Sequence, residues 1–367
     1  MTNYGFITVA AAIPSTRVAD VQYNVEEIER LVEEAEQQGV ELLVFPELCI
    51  TGYTCQDLFR SSHLLDASDQ ALSILTDFSL GRGITFVVGA PIRQDDRLMN
   101  TAVIISNGQR HYVHKTFLPN YNEFYEKRWF SVEAVDAEPR IFRLASGVMF
   151  GVELCEDLWS AIPPSSKLAT SGADIILNLS ATDELIGKHN YLLSLISQQS
   201  ARTMSGYVYS SCGFGESTQD VVYGGNAIIY ENGVQLAHSD RFSLHPQLVI
   251  SQIDVERLRN ERRTNTTFGR AQGSLMAKAE VIDLELDDEA YNNILSKFQP
   301  RRHYDAHPFI PKTNDMKASC EEIFNIQVMG LARRLSHIHC KDVVVGISGG
   351  LDSTLALLVC VKTFDKL

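Results

Sequence analysis

The sequence predicts an α/β protein in which helices cover stacked β-sheets. Three observations indicate this class: short β-rich apolar runs alternate with segments of helical period, two halves of this kind follow one another, and a hairpin-rich stretch comes after them. We expect a stacked α-β-β-α sandwich, although the pattern alone does not separate it from a doubly wound sheet. A chain of 367 residues has room for about two domains.

The first half combines strands with an amphipathic helix. The helix is predicted to start at Asn24 as N-cap, with Glu27 completing a capping box, and to end at Gly39. Between these residues, apolar side chains recur at helical spacing. Strands of this half are predicted over residues 5–12, 41–46, 85–90 and 101–106.

The second half repeats the pattern and ends in hairpins. A long helix is predicted over residues 188–204, and the pair Asn232-Gly233 is typical of a tight hairpin turn. Strands of this half are predicted over residues 148–152, 175–177, 207–211, 221–230 and 247–253.

The last third of the chain has a looser pattern. We expect a first domain over residues 1–270, a linker over 271–315 and a second domain over 316–367. The second domain is predicted to contain a helix at 320–337, a strand at 343–347 and a helix that starts near Ser353. Because one βα unit cannot bury its own faces, we expect this domain to be cut short.

Composition excludes several classes of function. The formal charge is −14, so general nucleic-acid binding, which needs a basic surface, is not expected. We find neither an apolar run of about 18 residues nor a secretory signal, and thus expect no membrane span. The seven cysteines form no CxxC pair, which favours reduced thiols and a cytoplasmic location. No histidine cluster has metal-ligand spacing, so the first domain is expected to need no metal or cofactor.

A glycine-rich turn joins the predicted strand at 343–347 to the following helix. Its two glycines allow a phosphate to approach the backbone, and the helix N-terminus offers free N–H groups. The carboxylate of Asp352 can hold a magnesium ion that bridges to the phosphates. An ordinary βα turn with a serine cap is the alternative. The predicted ATP-binding residues are Ser348, Gly349, Gly350, Leu351, Asp352 and Ser353.

This six-residue string lacks the Gly-Lys-Ser/Thr ending of a Walker A loop. It resembles the pyrophosphate loop of the ATP pyrophosphatases, a group that includes NAD, GMP and asparagine synthetases. The resemblance implies a Rossmann-like fold for this segment and adenylylation of a substrate with release of pyrophosphate. The loop does not choose among these enzymes.

Three reactive side chains each follow a predicted strand. Glu47 lies in Phe-Pro-Glu-Leu, Lys115 in Val-His-Lys-Thr-Phe, and Cys155 in Gly-Val-Glu-Leu-Cys-Glu-Asp. Each one alone has an ordinary explanation, as a surface glutamate, a solvated lysine or a core cysteine. Together they supply what a thiol needs to cleave an amide: a base, a positive charge for the oxyanion, and a proton for the leaving ammonia. Neighbouring acidic residues should raise the pKa of the thiol.

Residues 4–260 resemble the nitrilase, or carbon–nitrogen hydrolase, superfamily on these three strings. The resemblance implies an α-β-β-α sandwich and a catalytic triad of Glu47, Lys115 and Cys155. It also implies that Glu123 orients the lysine. The residues expected to contact a glutamine substrate are Tyr53, Tyr121, Glu123, Glu156 and Thr182.

The two parts together resemble the glutamine-dependent NAD(+) synthetase family. The resemblance implies a ligase in which glutamine supplies ammonia, and ATP with magnesium activates nicotinic acid adenine dinucleotide. It also implies homo-oligomers. Because the second domain looks incomplete, we expect this chain to show glutaminase activity at most and to make no NAD. A free-standing amidase or nitrilase is the alternative enzyme, and a non-catalytic scaffold is a third possibility.

Overall fold

Two β-sheets packed face to face form the centre of the first of two structural units. The computed structural model describes residues 3–132, 138–274, 279–310 and 316–367. The first unit spans Met1–Arg302 and the second spans His303–Leu367.

The first sheet has six strands in the order β12-β1-β2-β3-β4-β5. The strand β2 lies parallel to both β1 and β3, whereas the outer neighbours are antiparallel. The strands are β1 (Phe6–Ile13), β2 (Leu42–Val44), β3 (Thr85–Gln94), β4 (Arg97–Ser106), β5 (Gln109–His114) and β12 (Gln247–Asp254).

The second sheet has seven strands in the order β11-β10-β9-β8-β7-β6-β13. Its central strands β7, β8 and β9 are parallel, so their carboxyl ends lie at one edge. The strands are β6 (Arg140–Arg143), β7 (Met149–Leu154), β8 (Ile175–Ser180), β9 (Gly206–Ser211), β10 (Ala227–Glu231), β11 (Val234–His238) and β13 (Glu280–Asp283).

Helices cover the outer face of each sheet, which confirms the predicted α-β-β-α sandwich. Separate apolar clusters lie between the first sheet and its helices, between the two sheets, and between the second sheet and its helices. The helices are α1 (Val21–Gln37), α2 (Ser62–Phe78), α3 (Glu156–Trp159), α4 (Pro164–Thr170), α5 (Lys188–Thr203), α6 (Val255–Thr264), α7 (Thr266–Ser274) and α8 (Asp288–Ser296).

The first helix begins earlier than predicted. Asp20 is its N-cap and accepts a hydrogen bond from the Tyr23 N–H at 3.3 Å, so Asn24 lies inside the helix. The Asn24 side chain instead donates to the carbonyls of Arg17 and Ile50, at 2.9 and 3.1 Å. The predicted capping role of Asn24 is therefore wrong, because its carboxamide satisfies distant backbone groups.

The segment expected to be a linker contributes to the first unit. Its strand β13 pairs in parallel with β6 at the edge of the second sheet. Its helix α8 buries Ala290, Ile294 and Leu295. The structure also pairs Arg302 with Glu231 of β10, at 2.7 Å. The compact unit thus continues about 30 residues beyond the expected boundary at 270.

The second unit contains two helices in its described residues, α9 (Met316–Ile338) and α10 (Leu351–Lys366). Residues 343–347 form no strand, so the predicted strand is wrong. A strand needs a hydrogen-bonding neighbour, and the described residues of this unit contain none. None of the helices in the described part of the chain combines the length and apolar character that a membrane span requires.

Candidate active site

Glu47 lies just beyond the end of β2 and is completely buried. Its backbone N–H donates to the Ser180 carbonyl of the facing sheet at 3.2 Å. The turn that carries it packs directly on Gly89 of β3, where an added Cβ would lie 2.2 Å from the Leu48 nitrogen. Only glycine allows this approach, so the close contact with β3 sets the position of Glu47.

Lys115 follows β5 and is buried between two carboxylates. Its Nζ donates to Oε1 of Glu47 at 2.6 Å and to Oε1 of Glu126 at 2.7 Å. Burial alone would lower the pKa of Lys115, but the nearby Glu126 and Glu47 carboxylates outweigh that effect and raise it. The lysine is therefore a fixed positive charge inside the site.

The second carboxylate on the lysine is Glu126, not Glu123, so the predicted orienting role of Glu123 is wrong. Glu126 begins a 3₁₀ turn over Glu126–Arg128 and is 2% exposed. The phenol of Tyr53 donates to the same Oε1 atom at 2.8 Å. Burial raises the pKa of Glu126 above its usual range. Sequence reasoning missed Glu126 because its only signal, an acidic residue before two basic ones, is typical of a solvated turn.

Cys155 stands between the end of β7 and the start of α3. Its backbone has φ +42° and ψ −99°, a conformation that L-residues rarely adopt. Backbone strain of this kind costs on the order of 1–3 kcal/mol and is concentrated at functional sites. The Cys155 N–H donates to the Leu179 carbonyl at 2.9 Å, and its Sγ lies 3.9 Å from Oγ1 of Thr182.

The thiol of Cys155 lies within the electrostatic field of the other two residues. Burial and the Glu47 carboxylate raise its pKa to about 12, against an opposing effect of Lys115. Glu153 and Asp157 have other partners: Glu153 accepts the Ser165 N–H, and Asp157 accepts backbone N–H groups. The predicted direction of the pKa shift is confirmed, but Glu47 is a larger cause than the sequence neighbours. Burial and Glu47 therefore favour the protonated form of the thiol.

The two carboxylate oxygens of Glu47 have different surroundings. Oε1 accepts from Lys115 and, at 2.7 Å, from Nδ2 of Asn100 on β4, whereas the buried Oε2 has no hydrogen-bond partner among the residues that the structure describes. An orphaned buried acceptor whose charge acts on a nearby thiol is suited to receive its proton. Asn100 was not anticipated, because an amide within an apolar run gives no distinctive signal.

The remaining predicted contact residues fall into two groups. Tyr121 and Glu156 meet at an exposed position, where the Tyr121 phenol donates to both Glu156 oxygens at 2.8 and 2.9 Å. Burial raises the pKa of Glu156, and Lys188 lies close enough to oppose that shift. Thr182 is buried beside Cys155, and its hydroxyl lies 2.7 Å from the Tyr209 phenol.

Tyr53, Glu123 and Glu126 are among the residues that line a small cavity of about 50 Å³. In the ranges that the structure describes, no group of three His, Cys, Asp or Glu side chains could hold a metal ion.

The glycine-rich turn of the second unit is exposed and forms the start of α10. Gly350 is the N-cap, and Gly349 has φ +85° with open space around the position of a Cβ. The Ser348 N–H and the Gly350 carbonyl both bond the Ser353 hydroxyl, at 3.3 and 3.1 Å. Asp352 is exposed in the first turn of the helix.

A buried cysteine, glutamate and lysine at the strand ends of an α-β-β-α sandwich define a class of amide-cleaving enzymes. The chain belongs to the carbon–nitrogen hydrolase family, whose sequence profile matches residues 8–263. The profile of a second family, NAD synthase, matches residues 323–367. Both predicted resemblances are therefore confirmed.

The curated relatives and solved structures point to the same combination. A glutamine-dependent NAD(+) synthetase of Mycobacterium tuberculosis is 36% identical over 386 residues, which cover 99% of this chain and 56% of the relative. The crystal structure of a glutamine-dependent NAD(+) synthetase from Cytophaga hutchinsonii is 27% identical with a TM-score of 0.61, and the match covers 68% of this chain and 43% of that one.

An amidase from Nesterenkonia sp. AN1 shares the fold, with a TM-score of 0.59 at 20% identity over 72% of this chain and 95% of that one. The present chain spans about half the length of the curated synthetases it matches. These comparisons do not confirm the expectation that the chain lacks synthetase activity, which stays a prediction.

Proposed function

We propose that the first unit hydrolyses glutamine and releases ammonia, with Cys155 as nucleophile, Glu47 as general base and acid, and Lys115 as the stabilising cation. The orphaned Oε2 of Glu47 is the observation that carries the proposal, because a protonated buried thiol needs an acceptor at the moment of attack.

The reaction proceeds in two steps. Sγ of Cys155 bonds to the amide carbon while its proton passes to Glu47, and Lys115 stabilises the developing oxyanion. Glu47 returns the proton to the amide nitrogen, the C–N bond breaks, and ammonia leaves a thioester. Water, deprotonated by Glu47, then attacks the thioester, releases glutamate and restores the thiol.

Two charges at the exposed side of the site suit an α-amino acid. Glu156 can pair with the ammonium group of glutamine, and Lys188, whose ammonium also pairs with Asp183, can pair with its carboxylate. The phenol of Tyr121 fixes the Glu156 carboxylate at 2.8 Å, so the pair is held before substrate binds. We place Tyr53 and Thr182 around the reacting amide, beside Glu126 and Cys155 respectively.

The second unit supports a further, ATP-dependent stage in the whole synthetase. The serine hydroxyls and the open backbone at Gly349 fit a pyrophosphate, and Asp352 would hold magnesium there. In that stage, ATP adenylylates nicotinic acid adenine dinucleotide, and ammonia displaces AMP to give NAD. The NAD synthase profile match to residues 323–367 supports this proposal.

Comparing substrates tests the first stage. We expect the 367-residue chain to release ammonia from glutamine faster than from simple amides or nitriles. Replacing Cys155 with Ala should abolish the activity, whereas Cys55→Ala, at another buried cysteine, should retain it. Preference for a nitrile or a simple amide would instead favour a free-standing hydrolase, and unchanged turnover in Cys155→Ala would exclude the proposed nucleophile.

A further inference from the structure

Asp157 is a buried carboxylate that accepts three backbone hydrogen bonds. It lies two residues after Cys155 and is 1% exposed. Its Oδ1 accepts from the N–H groups of Thr116 at 3.0 Å and Phe117 at 2.8 Å, and its Oδ2 accepts from Leu154 at 3.0 Å. Both carboxylate oxygens are thus occupied by main-chain donors.

These donors belong to the two segments that carry the reactive cation and the reactive sulfur. Thr116 and Phe117 directly follow Lys115, where the chain has left β5. Leu154 is the last residue of β7 and directly precedes Cys155. One carboxylate therefore connects the backbone beside the lysine to the backbone beside the cysteine.

Both segments need such a support. Cys155 holds a strained backbone conformation, which persists only where the surroundings enforce it. The ammonium of Lys115 is shared between Glu47 and Glu126 at 2.6 and 2.7 Å, so a small movement of its backbone would alter both contacts. Burial raises the pKa of the Asp157 carboxyl, and the backbone hydrogen bonds from Leu154 and Phe117 oppose that shift by favouring the charged carboxylate.

We propose that Asp157 is a positioning residue that sets the placement of Lys115 relative to Cys155 by holding both backbone segments. In this role Asp157 acts through the backbone N–H groups that it holds, beside Lys115 and Cys155. The inference rests on the proposed glutamine hydrolysis, but its structural part is independent of the substrate.

Replacing Asp157 with Asn in the full chain tests this role. The carboxamide keeps one acceptor but places an N–H₂ group against a backbone donor, which breaks one side of the connection. We expect kcat for glutamine to fall about 100-fold, as for a misplacement of about 1 Å, with a smaller change in KM. Asp157→Glu keeps the charge with a longer side chain and should also lower kcat.

The rate at which iodoacetamide alkylates Cys155, measured as a function of pH, distinguishes a change in the position of Lys115 from a simple loss of charge. This measurement needs no glutamine. Lys115 lowers the thiol pKa, so displacing the lysine in Asp157→Asn should move the alkylation profile to higher pH. Removing a negative charge without displacement would move the profile to lower pH. A profile that is unchanged or moved to lower pH would overturn the proposal.

Asp174 offers a matched control. It is a buried carboxylate at the opposite end of β7, where it accepts the Met149 N–H at 2.9 Å and pairs with Arg259. Asp174→Asn should lower thermal stability but leave the alkylation profile as in the parent chain. If it reproduces the change seen in Asp157→Asn, general loosening is the cause and the inference fails. A parent chain that is alkylated but does not hydrolyse glutamine would instead contradict the proposed function.

Discussion

At the scale of single residues, opposing charges control the state of the Cys155 thiol. Burial and Glu47 raise its pKa to about 12, and Lys115 lowers it. Burial and Glu47 therefore favour the protonated thiol over a resting thiolate. In the proposed mechanism, proton transfer to Glu47 during attack supplies the missing activation.

This balance predicts opposite pH shifts for two substitutions. Glu47→Gln removes a negative charge that raises the thiol pKa, so alkylation of Cys155 should begin at lower pH than in the parent chain. Lys115→Met removes the opposing cation, so alkylation should begin at higher pH. Both variants should lose glutamine hydrolysis. Alkylation rates measured from pH 6 to about 11 check this.

Glu41→Gln serves as the control for this pair of variants. Glu41 is a second buried carboxyl near β2, just before the strand rather than after it. Replacing the Glu41 carboxyl should leave the pH dependence of Cys155 alkylation unchanged. Shifts in the same direction for Glu47→Gln and Lys115→Met would contradict the assigned electrostatics.

The sequence anticipated part of the site because Glu47, Lys115 and Cys155 each stand in a distinctive local string after a strand. The structure brings these three together. Glu126 and Asn100 reach the same cluster through tertiary packing, and neither has a local pattern that differs from a surface turn or a buried strand. Local motifs cannot identify residues whose role depends only on their tertiary contacts.

At the scale of elements, the contact between β3 and the turn after β2 positions Glu47, the proposed general base. A Cβ at Gly89 would come within 2.2 Å of the Leu48 nitrogen, and backbone cannot yield as a flexible side chain can. The turn would have to move, and Glu47 with it.

We therefore expect Gly89→Ala to lower the free energy of unfolding by roughly 1–3 kcal/mol and to reduce glutamine hydrolysis strongly. Gly269→Ala is the matched control, because a Cβ added there, in the exposed part of α7, would meet nothing within 4 Å. There the substitution should stabilise by roughly 0.5–1 kcal/mol. Urea titration and turnover of both variants check the expectation, which fails if Gly89→Ala retains full activity.

Element prediction succeeded where a local pattern and its tertiary setting agree. Most central strands of both sheets were predicted, but the strand expected over 221–230 begins only at Ala227. The elements that were not anticipated include the edge strands β6, β11 and β13 and the helix α2. The Asn24 capping prediction failed because the side chain bonds to Ile50, 26 residues away. Residues 343–347 form no strand, because the described residues of the second unit provide no neighbouring strand with which they could pair.

At the scale of the whole molecule, the first unit extends to Arg302 and includes β13 and α8. Sequence composition placed these residues in a linker, because the prolines and charges there are typical of connectors. Their contacts with β6 and the core become visible only in three dimensions.

This boundary predicts different behaviour for two shortened chains. A chain of residues 1–302 should unfold cooperatively and retain the glutamine hydrolysis of the parent, because it keeps every element of the sandwich. A chain of residues 1–270 should be markedly less stable, since it loses β13 from the sheet edge and the buried face of α8. Thermal unfolding of the two chains compares them directly, and equal stability would contradict the boundary.

Covalent labelling by a glutamine-mimicking diazo ketone tests the central claim most directly. After incubation with the 367-residue chain, peptide mapping by mass spectrometry should locate one adduct, on Cys155, and an excess of glutamine should suppress it. Labelling at the other six cysteines, which are all free, serves as the internal comparison for labelling at Cys155. Labelling of another cysteine that glutamine suppresses, with Cys155 unmodified, would contradict the account.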